Sequence, residues 1–86
     1  MIVRVGSILL DYTGGRSEVE ASGKTLGAVL DDLDRRHPGL KFRVVDEQGQ
    51  IRPHIRMWIN TSPATDLSTR VGANDEVHVL GALSGG

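Results

Sequence analysis

Hydrophobic and polar positions alternate from the first residue. Met1, Val3 and Val5 share one parity while Arg4 takes the other, the period-two pattern of a half-buried strand. Gly6 marks a bend, and Ile8-Leu9-Leu10 continues the apolar character. Thr13-Gly14-Gly15-Arg16 is a turn signal, because Gly-Gly is a favoured hairpin dipeptide. Ser17 to Ala21 alternates again, with Val19 and Ala21 inward and Glu18 and Glu20 outward. Residues 1–21 therefore predict an antiparallel hairpin.

The period then changes. Ser22-Gly23-Lys24-Thr25 breaks the strand and offers Thr25 as a helix N-cap. Leu26, Val29, Leu30 and Leu33 follow at i, i+3, i+4 and i+7, one buried helical face. Asp31, Asp32 and Asp34 lie off that stripe, and Arg35, Arg36 and His37 gather where positive charge suits the helix dipole. Pro38-Gly39 stops the helix.

Residues 40–54 are less regular. Leu40, Phe42, Val44 and Val45 are expected to anchor this segment to the core, with Asp46 to Gln50 as a polar turn. Ile55, Met57 and Ile59 then alternate with Arg56, Trp58 and Asn60, a second half-buried strand. Asn60-Thr61-Ser62-Pro63 reads as a turn, and Leu67 and Val71 as core plugs from an irregular loop. Ala73-Asn74-Asp75 leads into a last strand, Glu76 to Leu80, with Val77 and Val79 on one face.

One helix with a single apolar stripe must bury it against the apolar face of a sheet. The long chain between the first and last strands permits a crossover that sets them side by side in parallel. The expected fold is α+β, a β-grasp with a mixed sheet of four to five strands packed on one main helix. Residues 1–80 form the domain and residues 81–86 a flexible tail. No internal repeat or linker divides the chain.

Composition removes several functions. Eighty-six residues make one domain with one modest core. A formal net charge of -1 supplies no field to attract nucleic acid or a membrane surface. Tyr12, Phe42 and Trp58 stand far apart, so no stacking platform for bases is expected. The absence of cysteine excludes a disulfide framework, a thiolate metal site and a cysteine nucleophile. No apolar run approaches the ~20 residues of a membrane span, and no leader precedes the first strand, so a cytoplasmic protein is expected. His37, His54 and His78 lack metal-ligand spacing, and the three helix aspartates belong to a solvated face. Gly14-Gly15-Arg16 is explained by a hairpin without invoking an anion, and Ser84 is not on a strand-to-helix elbow. No enzyme active site and no bound cofactor are expected.

What remains is the end of the chain, Gly81-Ala82-Leu83-Ser84-Gly85-Gly86. A terminal Gly-Gly is slim enough to enter a recessed site, and its carboxylate stands clear of side chains. The bland alternative is a frayed terminus. Gly81 offers a pivot between body and tail, and Leu83 an apolar anchor for a partner's channel. Strand parity adds a docking face. With Val77 and Val79 inward, His78 and Leu80 point out, and with Ile55, Met57 and Ile59 inward, Arg56 and Trp58 point out. A Trp beside an Arg suits an interface. The alternative folds Trp58 under residues 40–54 as ordinary core.

The β-grasp pattern, the Asn74-Asp75-Glu76-Val77 lead-in, the last strand and the final Gly85-Gly86 together resemble the MoaD/ThiS ubiquitin-like sulfur carriers. Ile8-Leu9-Leu10 before Thr13-Gly14-Gly15, Thr25 to Val29, and Ile51 to Ile55 are most similar to the CysO-type branch that serves cysteine biosynthesis. The resemblance implies an E1-like partner that adenylates Gly86 with ATP and magnesium. A sulfur donor then leaves a thiocarboxylate on Gly86, which passes to an acceptor such as a cysteine synthase-like enzyme. Gly81, Leu83, Ser84 and Gly85 would form the recognised tail, and Arg56, Trp58, His78 and Leu80 the partner-binding patch. Alternatives are a molybdopterin-synthase small subunit, a ubiquitin-like modifier and a plain β-grasp binding module.

Overall fold

The computed structural model describes residues 1–81. Its main helix, α1 (Leu26–Arg36), begins where the Thr25 hydroxyl accepts a hydrogen bond from the Ala28 amide at 3.1 Å. Such a cap is worth about 1 kcal/mol. Leu26, Val29, Leu30 and Leu33 are completely buried, as their spacing requires. Arg35 and Arg36 close the last turn, where the His37 amide donates to the Leu33 carbonyl at 2.7 Å. A second, one-turn helix, α2 (Leu40–Val44), follows Gly39, whose φ of 94° turns the chain. Asp34 joins the two helices by accepting from the amides of Gly39 (3.1 Å) and Lys41 (3.2 Å).

Among the described residues five strands form one mixed sheet. They are β1 (Ile2–Val5), β2 (Glu18–Glu20), β3 (Ile55–Ile59), β4 (Ser62–Ala64) and β5 (Val77–Gly81), in the spatial order β2-β1-β5-β3-β4. β1 pairs with β2 antiparallel and with β5 in parallel, while β3 pairs antiparallel with both β5 and β4. This is the expected β-grasp. Its inner face presents Val3, Val5, Val19, Ile55, Met57, Val77 and Val79 to the stripe of α1, all within one buried cluster.

The structure corrects four local readings. The first hairpin is not a two-residue turn, because β1 stops at Val5 and Ser7–Leu9 forms a 3-10 turn. Three consecutive apolar residues carry no period, and the turn lets Leu9 enter the core completely. Gly14 and Gly15 do adopt positive φ, but they close this longer loop, with the Gly15 amide donating to the Leu10 carbonyl at 2.8 Å. In the segment after α1, Leu40 and Val44 are buried at i, i+4, whereas Phe42 between them is 58% exposed and anchors nothing. Arg52 lies over its ring, 4.7 Å from the centroid, and donates to its carbonyl at 2.8 Å. Ser62 and Pro63 belong to edge strand β4 and not to the turn, a place proline tolerates. Finally, β5 runs through Gly81, one residue into the segment read as tail.

Two expectations follow for stability. A Cβ added at Gly23 would lie 2.6 Å from the Val29 nitrogen and 2.8 Å from the Ala28 carbonyl carbon, against backbone that opens α1. Gly23→Ala should therefore lower the unfolding free energy by about 1–3 kcal/mol, measured by urea titration. Asp32 ties the β2–α1 connection to the helix end, accepting from Arg35 (2.5 Å), the Ser22 amide (2.9 Å) and Arg36 (2.9 Å). The Arg35 hydrogen bond first, then the Ser22 amide and Arg36, lower its pKa to about 2 against the opposing effect of partial burial. A depressed folded-state pKa means the contribution is present above the ordinary aspartate pKa and lost as pH falls towards 2. Stability should drop across that window, and Asp32→Asn should flatten the drop in thermal melts at stepped pH.

Candidate functional site

The strand that leads to the chain's end is the central one of the sheet, held by β1 on one side and β3 on the other. Its last residue, Gly81, lies opposite Ile55. Five residues beyond Gly81 can span at most about 17 Å when fully extended. Any partner acting on Gly86 must therefore dock close to this end of the sheet. Leu83, Ser84, Gly85 and Gly86 themselves lie outside the described residues.

Register brings the four outward residues together. Arg56 is paired with Leu80, and Trp58 with His78. The second pair continues across the sheet, because His78 is also opposite Arg4, Arg4 opposite Glu18, and Trp58 opposite Pro63. One row, Glu18-Arg4-His78-Trp58-Pro63, thus crosses all five described strands. Side chains paired in this way are neighbours on one face of the sheet. Leu80 is 39% exposed, whereas Trp58 and His78 are half-buried. Trp58 is therefore not wholly covered by residues 40–54. It lines an open groove with Arg52, Pro53, Pro63 and Leu67.

The two halves of this face differ. On the β1 side Arg4 holds Glu18 at 2.8 Å and Glu76 at 2.7 Å, and the His78 Nε2 lies 3.1 Å from Glu76. The hydrogen bond to Glu76, then the charge of Glu18, raise the Arg4 pKa, so its positive charge is permanent. Each exposed pair contributes little alone, but Arg4 ties β1 to β2 and to the residue that leads into β5. On the β3 side Leu80 and Trp58 supply apolar surface. Arg56 is less free than strand parity suggests, since its guanidinium donates to the carbonyls of Pro53 (2.6 Å) and Ile55 (3.1 Å).

Three site-supporting residues were missed in the sequence. Asn60, at a φ of 55°, donates its side-chain amide to Asp75 at 2.9 Å and accepts from the Glu76 amide at 3.0 Å. Its backbone amide donates to the Glu76 carbonyl at 2.8 Å. Asp75 also accepts from the Gly72 amide at 2.7 Å. That amide, then Asn60, hold the Asp75 carboxyl below the usual range. Asn60 and Asp75 are 15 positions apart, so only the polar turn chemistry at each was visible. The third residue is Ile8, which occupies the space beside Gly81 that a side chain there would need. Among the described residues no cluster of His, Asp and Glu is placed to hold a metal, and no helix is long and apolar enough to cross a membrane.

Comparison with known proteins shows likeness in sequence and in fold. The "Sulfur carrier protein CysO" of Mycobacterium tuberculosis is 34% identical over 89 residues, covering 98% of this chain and 96% of the relative. The "Small archaeal modifier protein 1" of Haloferax volcanii is 34% identical over 80 residues, covering 91% of each chain. In three dimensions the chain superposes on one from the crystal structure of the Amycolatopsis orientalis BexX/CysO complex. The TM-score is 0.90 at 33% identity, covering 99% of this chain and 98% of the other. The ThiS family model matches residues 3–86, nearly the entire sequence and both final glycines, and the chain belongs to the ThiS family.

Proposed function

We propose that this chain is a sulfur carrier, a protein whose own Gly86 carboxylate is transformed by partner enzymes and which catalyses nothing itself. The observation that carries this reading is the family match running through Gly85-Gly86, the last residues of a chain whose final described strand, β5, is central in the sheet. Near-full-length likeness to proteins named as sulfur carriers supports it.

The chemistry follows from the carboxylate. It is a poor electrophile until a good leaving group is attached. In an E1-like partner using ATP and magnesium, a Gly86 oxygen attacks the α-phosphorus of ATP and pyrophosphate leaves. A sulfide donor then attacks the acyl carbon, the carbon–sulfur bond forms, and AMP departs from the Gly86 thiocarboxylate. With no cysteine in the chain, this terminus is its place for carried sulfur. Likeness to CysO favours a cysteine synthase-like acceptor, and a reaction that consumes ATP fits a cytoplasmic protein. Two glycines narrow the tail for a recessed channel, with Leu83 and Ser84 recognised behind them. The face around Trp58 and Leu80 docks on the partner.

A second reading, attachment of Gly86 to lysines of other proteins, is favoured by the likeness to an archaeal modifier protein. Intact-mass analysis and tail fragmentation of the untagged protein from its native cell separate the two. Sulfur in place of one oxygen on Gly86 is the expected result, and a population linked to other proteins would favour the modifier. Where the thiocarboxylate is short-lived, adding an E1-like enzyme, ATP, magnesium and sulfide should regenerate it. Failure to form an adenylate there would overturn both readings in favour of a binding module. Separately, Trp58→Ala should weaken binding to the activating enzyme by about 2 kcal/mol, or about 30-fold, with Gly86 chemistry intact once bound. Unchanged affinity by titration calorimetry would remove this face from the interaction.

A further inference from the structure

Position 81 continues the inward parity of Val77 and Val79, yet it carries no side chain. The space is filled from elsewhere in the chain. A Cβ built on Gly81 would lie 2.6, 3.1 and 3.2 Å from the Cδ1, Cγ1 and Cγ2 atoms of Ile8. Ile8 is itself fixed. It sits in the 3-10 turn Ser7–Leu9, whose next residue, Leu9, is fully buried, and it packs against the main core. The turn is tied to β5 by the Gly6 amide, which donates to the Val79 carbonyl at 2.9 Å. Gly6 lies alongside β5, where a Cβ would make ordinary contact with the Leu80 Cα at 3.4 Å.

We propose that Ile8 is a positioning residue for the Gly86 terminus: by packing over Gly81 it keeps β5 paired to its last residue and fixes where the reactive tail leaves the sheet. This inference rests on the sulfur-carrier reading for its consequence but not for its geometry. The turn missed in the sequence thereby acquires a purpose. A glycine ending a strand would otherwise fray, because it has no side-chain contact and the most freedom to gain. Each further residue released at the tail root must be fixed again when a partner threads the tail. That raises the concentration of carrier needed without altering the chemistry at Gly86. Glycine at position 81 lets Ile8 keep this place, since a Cβ there would require the Ile8 side chain to shift.

The test compares full-length wild type with Ile8→Val, Ile8→Ala, Gly81→Ala and the double variant Ile8→Ala/Gly81→Ala. Amide hydrogen exchange needs no partner. The expected result is faster exchange at Leu80 and Gly81 in Ile8→Ala, with Val3 and Val77 unchanged and Ile8→Val close to wild type. Gly81→Ala should disturb the same end of the strand, and the double variant should recover part of its protection. In adenylation by an E1-like enzyme, Ile8→Ala should raise KM for the carrier roughly tenfold, the equivalent of fixing one more residue, while kcat stays unchanged. Unaltered exchange at Leu80 and Gly81 in both Ile8→Ala and Gly81→Ala would overturn the inference. So would a fall in kcat at constant KM. If wild type itself is not adenylated, the sulfur-carrier reading fails while the exchange result still decides the role of Ile8.

Discussion

The structure depends on the double pairing of β5. A strand held between a parallel and an antiparallel neighbour has both rows of backbone groups satisfied. Val77 and Val79 then lock its inner face beneath α1, where neither is exposed. Everything else serves this arrangement. The long path from β1 through α1 makes the parallel neighbour available, and β3 closes the other side. β2 and β4 stand as short edges of three residues each, and short edges limit pairing with other chains. The described chain therefore ends on the strand that is paired on both sides. With only about 17 Å of reach, any wobble at the root would multiply the positions the partner must reject.

The inner and outer faces of β5 divide the work. Inward residues decide whether the chain folds. Outward residues, His78 and Leu80, sit against Trp58 and Arg56 of β3 and decide what the folded sheet presents. Alternation along a strand makes the two functions separable, since neighbouring positions address different solvents. The outer face is also graded. Its β1 side is charged and internally paired through Arg4, whereas its β3 side is more apolar and leads to Gly81. A partner that reads both halves gains orientation from the charges and binding energy from the apolar part.

How much of this was legible in the sequence follows from which signals were periodic. The stripe of α1 was fully readable, because four residues at 3.6 spacing leave no alternative. The facing of β3 and β5 was readable by alternation, and the cross-strand quartet followed from it. The turn at Ser7–Leu9 was not readable, since an unbroken apolar triplet has no period and only the depth of Leu9 decides its shape. Phe42 misled because hydrophobicity suggested burial, while the one-turn helix placed it between Leu40 and Val44 and off their face. β4 was hidden by a proline that reads as a turn but sits on an unpaired edge. The latch from Asn60 to Asp75 is long-range, and no local pattern announces a hydrogen bond between two turns.

The same division explains the lead-in Asn74-Asp75-Glu76-Val77, which carried part of the family resemblance. Two of its polar side chains are occupied within the protein itself. Asp75 closes the turn from Gly72 and receives Asn60, while Glu76 accepts from Arg4 and faces His78. The motif therefore sets the start of β5 in the correct register against both neighbours. A one-residue slip there would turn Val77 and Val79 outward and bring His78 and Leu80 into the core. Such a slip would also change how much chain remains beyond the sheet. The polar lead-in at one end and Ile8 over Gly81 at the other thus bracket a single strand. Both contacts bear on the central pairing of the fold, one where β5 begins and one at Gly81.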